Sequence, residues 1–572
     1  MNSPIFIVLK RLRYPLILLI SVYSILILGF TLIPGQDDQG NLWYMSFFHA
    51  FYFVSFMGST IGFGEVPYVF NEAQRAWTIV GIFSSVIAWI YSIGALLKIL
   101  KDPMFQRVLT QTSFEKSVNQ LNVPFYIICG YGDTGSVLAH ELAALAIQSV
   151  VLDWKQERID YLDIDEPDMD IPSFCGDAAM PENILSAGLT HAKCAGVIAL
   201  TDDDQTNLKV AITAKLLNKN IQVISRAETI EVADNMASFD TEHIINPYEV
   251  FAKRLALAIR SPGAFLIYEW FTSPDATLRE EPIDPPKGWW VVCGYGRFGK
   301  AIDRYLRYEG IRTVIVEAYP EYNSAPESVI TGSGTEAITL KEAGISKAVG
   351  IVAGTDNDSN NLSIIVTAHE LKKSKQLFSV ARQNNDSNSK LFAAAELSLV
   401  MQPACIIARE ILALIKSPLL AEFLSLVRRQ RKEKVNILIS RISGLYETEN
   451  LSTWTIKIDD MGSHLIRDLL SDGKFNVYDM MRNPRDRDSR LNCIPLLIKH
   501  KSSKHEKRFN LLPVEQQILI KGDEILFCGD LESMDLMHWS MSNVNVFQYI
   551  KCGDDVVSGY LWKVLKKQRK TS

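Results

Sequence analysis

Between Tyr14 and Ile33 the sequence runs YPLILLISVYSILILGFTLI without one charged side chain. About twenty apolar residues in helical form cover a hydrocarbon core of roughly 30 Å, so this run predicts a membrane span. Lys10, Arg11 and Arg13 precede it, as basic residues precede a signal peptide. The run is too long for one, however, and no small-residue cleavage site comes after it. A second run, Ala76 to Leu100, has no charge before Lys98. Two spans so close together predict a helical hairpin, since helices and closed barrels are the structures that satisfy their own backbone groups inside lipid. Lys10, Arg11, Arg13, Lys98, Lys101 and Arg107 flank the hairpin, whereas its loop carries Asp37, Asp38, Glu65 and Glu72 against Arg75. That distribution predicts a multi-pass protein of the cell (inner) membrane with both termini in the cytoplasm.

The loop holds a second constraint. His49 to Met57, HAFYFVSFM, is apolar and aromatic but too short to span, which suits a re-entrant segment. It leads into Ser59-Thr60-Ile61-Gly62-Phe63-Gly64-Glu65. Glycines at alternate positions open backbone conformations closed to other residues, so successive carbonyls can point towards one axis. Four such strands would replace the water around a dehydrated cation, with Thr60 adding an oxygen at the inner end. Residues 14–101, with pore helix and filter at 46–65, resemble the pore module of prokaryotic two-transmembrane-helix potassium channels. The resemblance implies K+ as the permeant ion, held at Thr60, Ile61, Gly62, Phe63 and Gly64. The family motif is Thr-Val-Gly-Tyr-Gly-Asp, from which Ile61, Phe63 and Glu65 depart. Phe63 lacks the hydroxyl that braces the family's filter, so a weakly selective cation channel of the same architecture is the alternative reading.

Past residue 122 the chain repeats itself. Phe125-Tyr-Ile-Ile-Cys-Gly-Tyr-Gly-Asp-Thr-Gly135 matches Trp289-Trp-Val-Val-Cys-Gly-Tyr-Gly-Arg-Phe-Gly299. The match continues through Val150–Asp153 and Val314–Glu317, then Thr201–Asn207 and Thr355–Asn361. It ends with Asn246-Pro to Ser261-Pro262 against Gln402-Pro to Ser417-Pro418. Each copy alternates β-branched runs with helical stretches, which predicts a doubly wound parallel sheet. In each, Gly-x-Gly-x-x-Gly follows a strand, opens a helix and precedes an acidic residue by some twenty positions, the setting of a dinucleotide fingerprint. Gly130 and Gly294 allow the tight turn, Gly132 and Gly296 the approach of phosphate, and Gly135 and Gly299 close helix packing. Phosphate would sit on free N–H groups at the helix start. Asp153 and Glu317 would accept hydrogen bonds from ribose hydroxyls, which points to NAD(H) or an adenine nucleotide rather than NADP. Arg297 comes after the second copy's middle glycine where the first copy has Asp133, so the second site is expected to favour more highly phosphorylated ligands. Arg226 and Arg382 end equivalent strands and are read as phosphate or subunit contacts.

These copies resemble the tandem RCK (regulating potassium conductance) or TrkA-N-like domains of prokaryotic channels. By that resemblance Asp177 of Gly176-Asp-Ala faces the adenine, a role with no counterpart in Gly332-Ser-Gly. The helices ending in Ser-Pro are the crossover helices that pair neighbouring domains. The implied fold class is a membrane α-helical pore module joined to two α/β Rossmann-like RCK domains, the second followed by a small α+β C-terminal lobe. The expected divisions are an N-terminus (1–13), pore module (14–101, spans 14–33 and 76–100), linker (102–122) and first RCK domain (123–272). Beyond these come a linker (273–288), second RCK domain (289–428), ligand-sensing lobe (429–545) and basic tail (546–572). The lobe is read as strand-rich from Val435 to about Asp530, and the tail's basic and apolar residues as a solvated terminus or a contact with anionic lipid of the bilayer. A homotetramer would bring eight RCK domains, enough for a gating ring.

Other classes fit less well. Calcium is not indicated: Asp202, Asp203, Asp204 and Glu228 lie where some relatives bind it, but Arg226 stands where a carboxylate would be wanted. With a formal charge of −6 over 572 residues the chain has no basic footprint for nucleic acid. The eight cysteines show no metal or disulfide spacing, as expected of a reducing cytoplasm. A membrane-anchored NAD-dependent oxidoreductase would explain the glycine loops but not the filter, and no substrate domain with a proton donor accompanies either copy. The chain is therefore read not as an enzyme but as a ligand-gated potassium channel subunit.

Overall fold

The computed structural model describes residues 4–59, 61–62, 64–65, 67–164, 169–239, 241–272, 283–372, 377–445, 451–458, 475–501 and 509–553. Thr60, Phe63, residues 273–282 of the expected linker and the tail from residue 554 lie outside them. Two compact units divide the chain, Met1–Gln120 and Leu121–Ser572.

The first unit runs α1 (Pro4–Leu32), β1 (Pro34–Gln36), β2 (Leu42–Tyr44), α2 (Phe47–Gly58), α3 (Glu72–Leu100) and α4 (Pro103–Asn119). Ser46 starts α2 by accepting the His49 N–H, and Asn71 with Gln74 forms a reciprocal capping box at the start of α3. The short helix α2 is held by a core of Leu26, Phe30, Phe53, Val54 and Phe70. Trp77 lies where a side chain at position 29 would stand, and its Nε1 donates to the Leu26 carbonyl at 3.1 Å. Glycine at 29 thus brings α1 and α3 together. The outward residues of these helices, among them Ile20, Ile25, Leu28, Phe83, Ile87 and Ile90, are exposed and apolar. Such a surface belongs in lipid, and the protein is a membrane protein. The segment read as a linker is itself helical over the seventeen residues of α4.

In the second unit the first copy contains β3 (Phe125–Cys129), α5 (Asp133–Ala144), β4 (Gln148–Asp153), α6 (Gln156–Ile164), β5 (Ser173–Cys175) and α7 (Pro181–Ser186). It continues with β6 (Cys194–Ala199), α8 (Asp204–Leu217), β7 (Gln222–Arg226), α9 (Ile230–Ala237), β8 (His243–Ile245), α10 (Pro247–Arg260) and α11 (Pro262–Thr272). The second copy contains β9 (Trp289–Cys293), α12 (Arg297–Tyr308), β10 (Arg312–Glu317), β11 (Ile330–Thr331), α13 (Ala337–Glu342) and β12 (Gly350–Ala353). It ends with α14 (Asp358–Leu371), β13 (Phe378–Arg382), α15 (Ser389–Ala394), β14 (Leu399–Met401), α16 (Pro403–Lys416) and α17 (Pro418–Val427). The sheets are parallel and share one order, β5-β4-β3-β6-β7-β8 and β11-β10-β9-β12-β13-β14.

The copies exchange their closing helices. Ile407, Ala408 and Ile411 of α16 are buried with Ile128, Leu138, Leu142 and Val151 of the first copy. Phe251, Ala252, Leu255 and Ile259 of α10 are buried with Val292, Phe298 and Ile302 of the second. Helix α18 (Lys432–Ser443) comes next, correcting the expectation of a strand-rich lobe beginning at Val435. Val435, Leu438 and Ile442 are its buried positions, a helical spacing that turns one face towards α11 and α17. The strands of the lobe are β15 (Ser452–Lys457), β16 (Cys493–Lys499), β17 (Phe509–Leu511) and β18 (Glu524–Gly529), antiparallel in the order β15-β18-β16-β17. Residues alternate along β18, Leu526 and Cys528 packing on the closing helices and Ile525 and Phe527 on the helices Leu531–Ser542 and Val544–Cys552.

Because α16 completes the first copy's core, Ile411→Ala should destabilise that copy by about 2–5 kcal/mol, the usual cost of such a truncation. Hydrogen exchange should speed up in β3 and β4, which the substitution does not touch in sequence. Faster exchange confined to β9 and β12 would contradict the exchange of helices.

Candidate functional site

The loop after α2 has Gly62 at φ +64° and Gly64 at φ +100°, the left-handed region that favours glycine. A Cβ at either would meet no atom within 4 Å, so conformation rather than space asks for glycine there. The Ile61 N–H donates to the Phe56 carbonyl at 3.1 Å and ties the loop to the end of α2. Just beyond, Glu65 Oε1 accepts from Arg75 Nε at 2.9 Å, and Oε2 accepts from the Phe70 N–H at 2.9 Å and from Arg75 Nη2 at 3.4 Å. The Arg75 guanidinium, with that backbone donor, holds the Glu65 carboxyl below the usual range. This tie between the expected filter and the start of α3 was missed in the sequence, where Arg75 counted only towards charge balance. The available signal was an acid closing the glycine run and an arginine on the first turn of the next span.

In the first copy a cavity of about 430 Å³ is lined by Gly130, Asp153, Lys155, Arg158, Asp177 and Asp202, among others. Gly130 takes φ +106°, and a Cβ on Gly135 would collide with the Gly130 carbonyl, so the turn and helix α5 require these glycines. Asp153 is buried at the end of β4. Its Oδ2 accepts from the Tyr131 N–H at 2.7 Å and Arg158 Nη1 at 3.2 Å, and its Oδ1 from the Lys155 N–H at 2.8 Å. A carboxylate offers about four acceptor positions, so three are taken. Arg158 Nη2 also reaches Asp202 at 3.5 Å, and the guanidinium lies beside Gly132. Asp177 is exposed and its Oδ1 accepts the Ala179 N–H at 2.8 Å. Arg158 escaped the sequence reading because α6 has no glycine or charge pattern that marks it.

The second copy repeats the turn with other surroundings. Gly294 takes φ +89°, a Cβ on Gly299 would meet the Gly294 carbonyl, and Gly296 opens α12. Glu317 is buried and accepts from the Tyr295 N–H at 2.5 Å and the Tyr319 N–H at 3.0 Å. The places of Lys155 and Arg158 are taken by the exposed pair Tyr319 and Tyr322, their rings edge to face at 6.4 Å.

A larger cavity, about 610 Å³, separates the copies and is lined by Gly132, Asp133, Glu228, Tyr248, Arg297 and Arg382, among others. Arg158 and Asp202 line both it and the first cavity. Arg297 does not face its own glycine loop. It forms an ion pair with Glu228 of the first copy and lies over the Tyr248 ring at 5.6 Å. Position 297 begins α12, and α12 packs against α10, which carries Tyr248; the exchange therefore points the arginine across the boundary. Arg382 joins it, at 5.1 Å from the ring centre, with Nη2 donating to the Tyr248 hydroxyl at 3.2 Å. Arg226 is paired with Glu228 and with Asp202.

The acidic run is occupied by structural bonds. Asp203 caps α8 by accepting from the Gln205 and Thr206 N–H groups, and Asp204 accepts from those of Glu228 and Thr229. Among the described residues no cluster of His, Cys, Asp and Glu could hold a metal ion.

Two family models match the chain. The ion channel model covers residues 16–102, and the TrkA-N domain model covers 126–247 and again 290–403. "Potassium channel protein 1" of Methanocaldococcus jannaschii is 27% identical over 269 residues, 47% of this chain and 74% of its own. "Probable potassium channel protein 2" of the same organism is 24% identical over 330 residues, 56% of this chain and 91% of its own. Among solved structures, the "GsuK channel bound to NAD" is 16% identical with a TM-score of 0.45, covering 94% of this chain and 99% of that one. The chain belongs to the ion channel proteins in which a two-helix channel domain is followed by tandem TrkA-N domains.

Proposed function

We propose that the protein is one subunit of a four-chain potassium channel whose opening is set by an adenine nucleotide or NAD(H) bound in the first TrkA-N cleft. The observation that carries the channel reading is the pair Gly62 and Gly64 in the left-handed region, directly after the short apolar helix α2 and between two helices of membrane-spanning length. Four copies of Thr60 to Gly64 would line the ion path, and both termini would lie in the cytoplasm. Two archaeal relatives are potassium channel proteins by name. The tie from Glu65 to Arg75 favours a selective filter over a loose one, because it anchors the loop where Phe63 has no hydroxyl to offer.

The first cleft suits the nucleotide better than the second. Asp153 would take the ribose once Arg158 turns from it towards phosphate, and Lys155 stands close by. Phosphates at Gly132 would extend into the cavity between the copies, where Arg297 and Arg382 lie. This reverses the expectation that Arg297 serves the second site. The "GsuK channel bound to NAD" and the "GsuK bound to ADP" are named with ligands of the same class. Ligand gates the pore only if open and closed states bind it unequally, and α4 is the covalent path by which that preference would reach α3. Four chains would carry eight TrkA-N domains, enough for a gating ring.

The reading is tested by flux, by the Glu65–Arg75 tie and by nucleotide binding. In reconstituted vesicles K+ should pass far faster than Na+, and Ba2+ should block; equal permeability would leave a weakly selective channel, and no flux would end the channel reading. Arg75→Gln should move the reversal potential towards that of Na+ at neutral pH. Acid on the far side should do the same in the unaltered protein, because a lowered carboxyl pKa keeps the ion pair intact at neutral pH and lost only as pH falls through that lowered value. A filter whose selectivity ignores both changes does not use this tie. Finally, Asp153→Asn should weaken nucleotide binding at least about tenfold, since a bond to a charged group is worth about 1.5–3 kcal/mol. Arg297→Gln should weaken ATP more than AMP by calorimetry. Equal losses for the two would detach Arg297 from the phosphates.

A further inference from the structure

The internal repeat pairs each position of the first copy with one of the second, and at the boundary between them equivalent positions carry opposite charge. Asp133 is equivalent to Arg297, and Arg254 on α10 to Glu410 on α16. Both pairs sit where the copies meet. Arg297 bonds Glu228, whose equivalent in the second copy is the uncharged Asn384. Arg254 is buried, paired with Glu269, and lies 4.9 Å from the centre of the Tyr268 ring. Arg428 covers that ring too, at 5.0 Å, and the Tyr268 hydroxyl donates to Glu410. Around one aromatic ring, then, stand Arg254 and Glu269 of the first copy and Glu410 and Arg428 from the second. The positions equivalent to Tyr268 and Arg428 are Leu424 and Thr272, so the second copy cannot supply the ring nor the first copy the second arginine.

Consider like meeting like through the same exchange of helices. Two first copies would set Asp133 against Glu228 and Arg254 against Arg254, leaving the Tyr268 hydroxyl facing a guanidinium. Two second copies would set Glu410 against Glu410 and Arg297 against Asn384. They would also strip Arg297 and Arg382 of the Tyr248 ring, because Ala404 is its equivalent. Like charges are poorly screened at the buried Arg254 and half-buried Glu410 positions and more fully screened at the exposed Asp133 and Arg297 positions, so the wrong pairings are opposed chiefly at the former and the right one is favoured at both. A tether raises the concentration of one copy around the other but does not exclude copies of further chains crowded into the same assembly.

We propose that these reversed charges form a pairing code: the exchange surface of the first copy accepts a second copy and rejects another first copy. Partner choice is thereby written into the boundary itself, by repulsion of the alternatives as much as by attraction. The surface is also closed to any single-domain relative whose two faces carry one and the same charge pattern.

The test uses the full chain. Glu249 and Arg304 form an ion pair between α10 and α12. Glu249→Cys with Arg304→Cys, treated with a short bis-maleimide, therefore reports that contact. With the other charges intact, linkage should fall within single chains, read as monomer mobility and as linked peptides by mass spectrometry. Adding Arg297→Asp and Glu410→Arg gives the second copy the first copy's signs, and the yield should fall at least tenfold below that of the neutral Arg297→Asn, Glu410→Gln chain. Equal yields in the like-charged and neutral chains would overturn the code, since both lose the same attractive contacts. Should the like-charged chain not fold, thermal unfolding of Arg297→Gln, Glu228→Gln and the double variant decides. A double variant no less stable than the worse single supports the code, and additive losses overturn it.

Discussion

An α/β domain must cover both faces of its sheet, and neither copy here does so with the helix that closes its own sequence. Helix α16 lies on the first copy and α10 on the second, with Ile411 and Leu255 among the residues that complete cores not their own. Everything in the second unit depends on this crossing. It brings Tyr248, Arg297 and Arg382 to one place, frames the cavity beside Gly132, and leaves α11 and α17 free to bind α18 and the lobe. The copies are in consequence parts of one folding unit, and a stretch of sequence bounded at either copy would leave an apolar sheet face bare.

The pore unit obeys a different rule, that backbone inside a membrane must find its partners within the protein. Helix α2 satisfies its own groups and buries Phe53, Val54 and Phe56 against α1 and α3. The backbone beyond its last turn is irregular and therefore needs anchors at both ends. Ile61 is tied back to Phe56, and Glu65 forward to Phe70 and Arg75. Between these tied residues Gly62 and Gly64 take the left-handed backbone.

Features written in local pattern were legible in the sequence alone. Charge-free runs of span length, two glycine loops placed between strand and helix, and an acidic residue ending the next strand all depend on neighbours along the chain. Features that arise where distant elements meet were not. Arg158 sits in an unremarkable helix and becomes important because β4 delivers Asp153 beside it. Arg297 was assigned to the glycine loop it adjoins, whereas the exchange of helices turns it to Glu228, and a repeat read along one chain does not say which copy covers which. Val435 to Ile439 passes for a strand by composition; the contacts that make it helical come from α11 and α17.

Helix α4 is the last element of the first unit and leads into the second. A floppy connection transmits only tension and forgets direction, whereas seventeen helical residues form a rod about 25 Å long that also resists twisting. Each residue of such a rod adds about 1.5 Å of length but about 100° of rotation. Its azimuth is therefore far more sensitive to the number of residues than its reach is. The register of α4, more than its span, thus fixes the direction in which a turn applied at one of its ends arrives at the other. Selection on its length would act in steps of a helical repeat, as on the pitch of a screw, rather than smoothly as on a string.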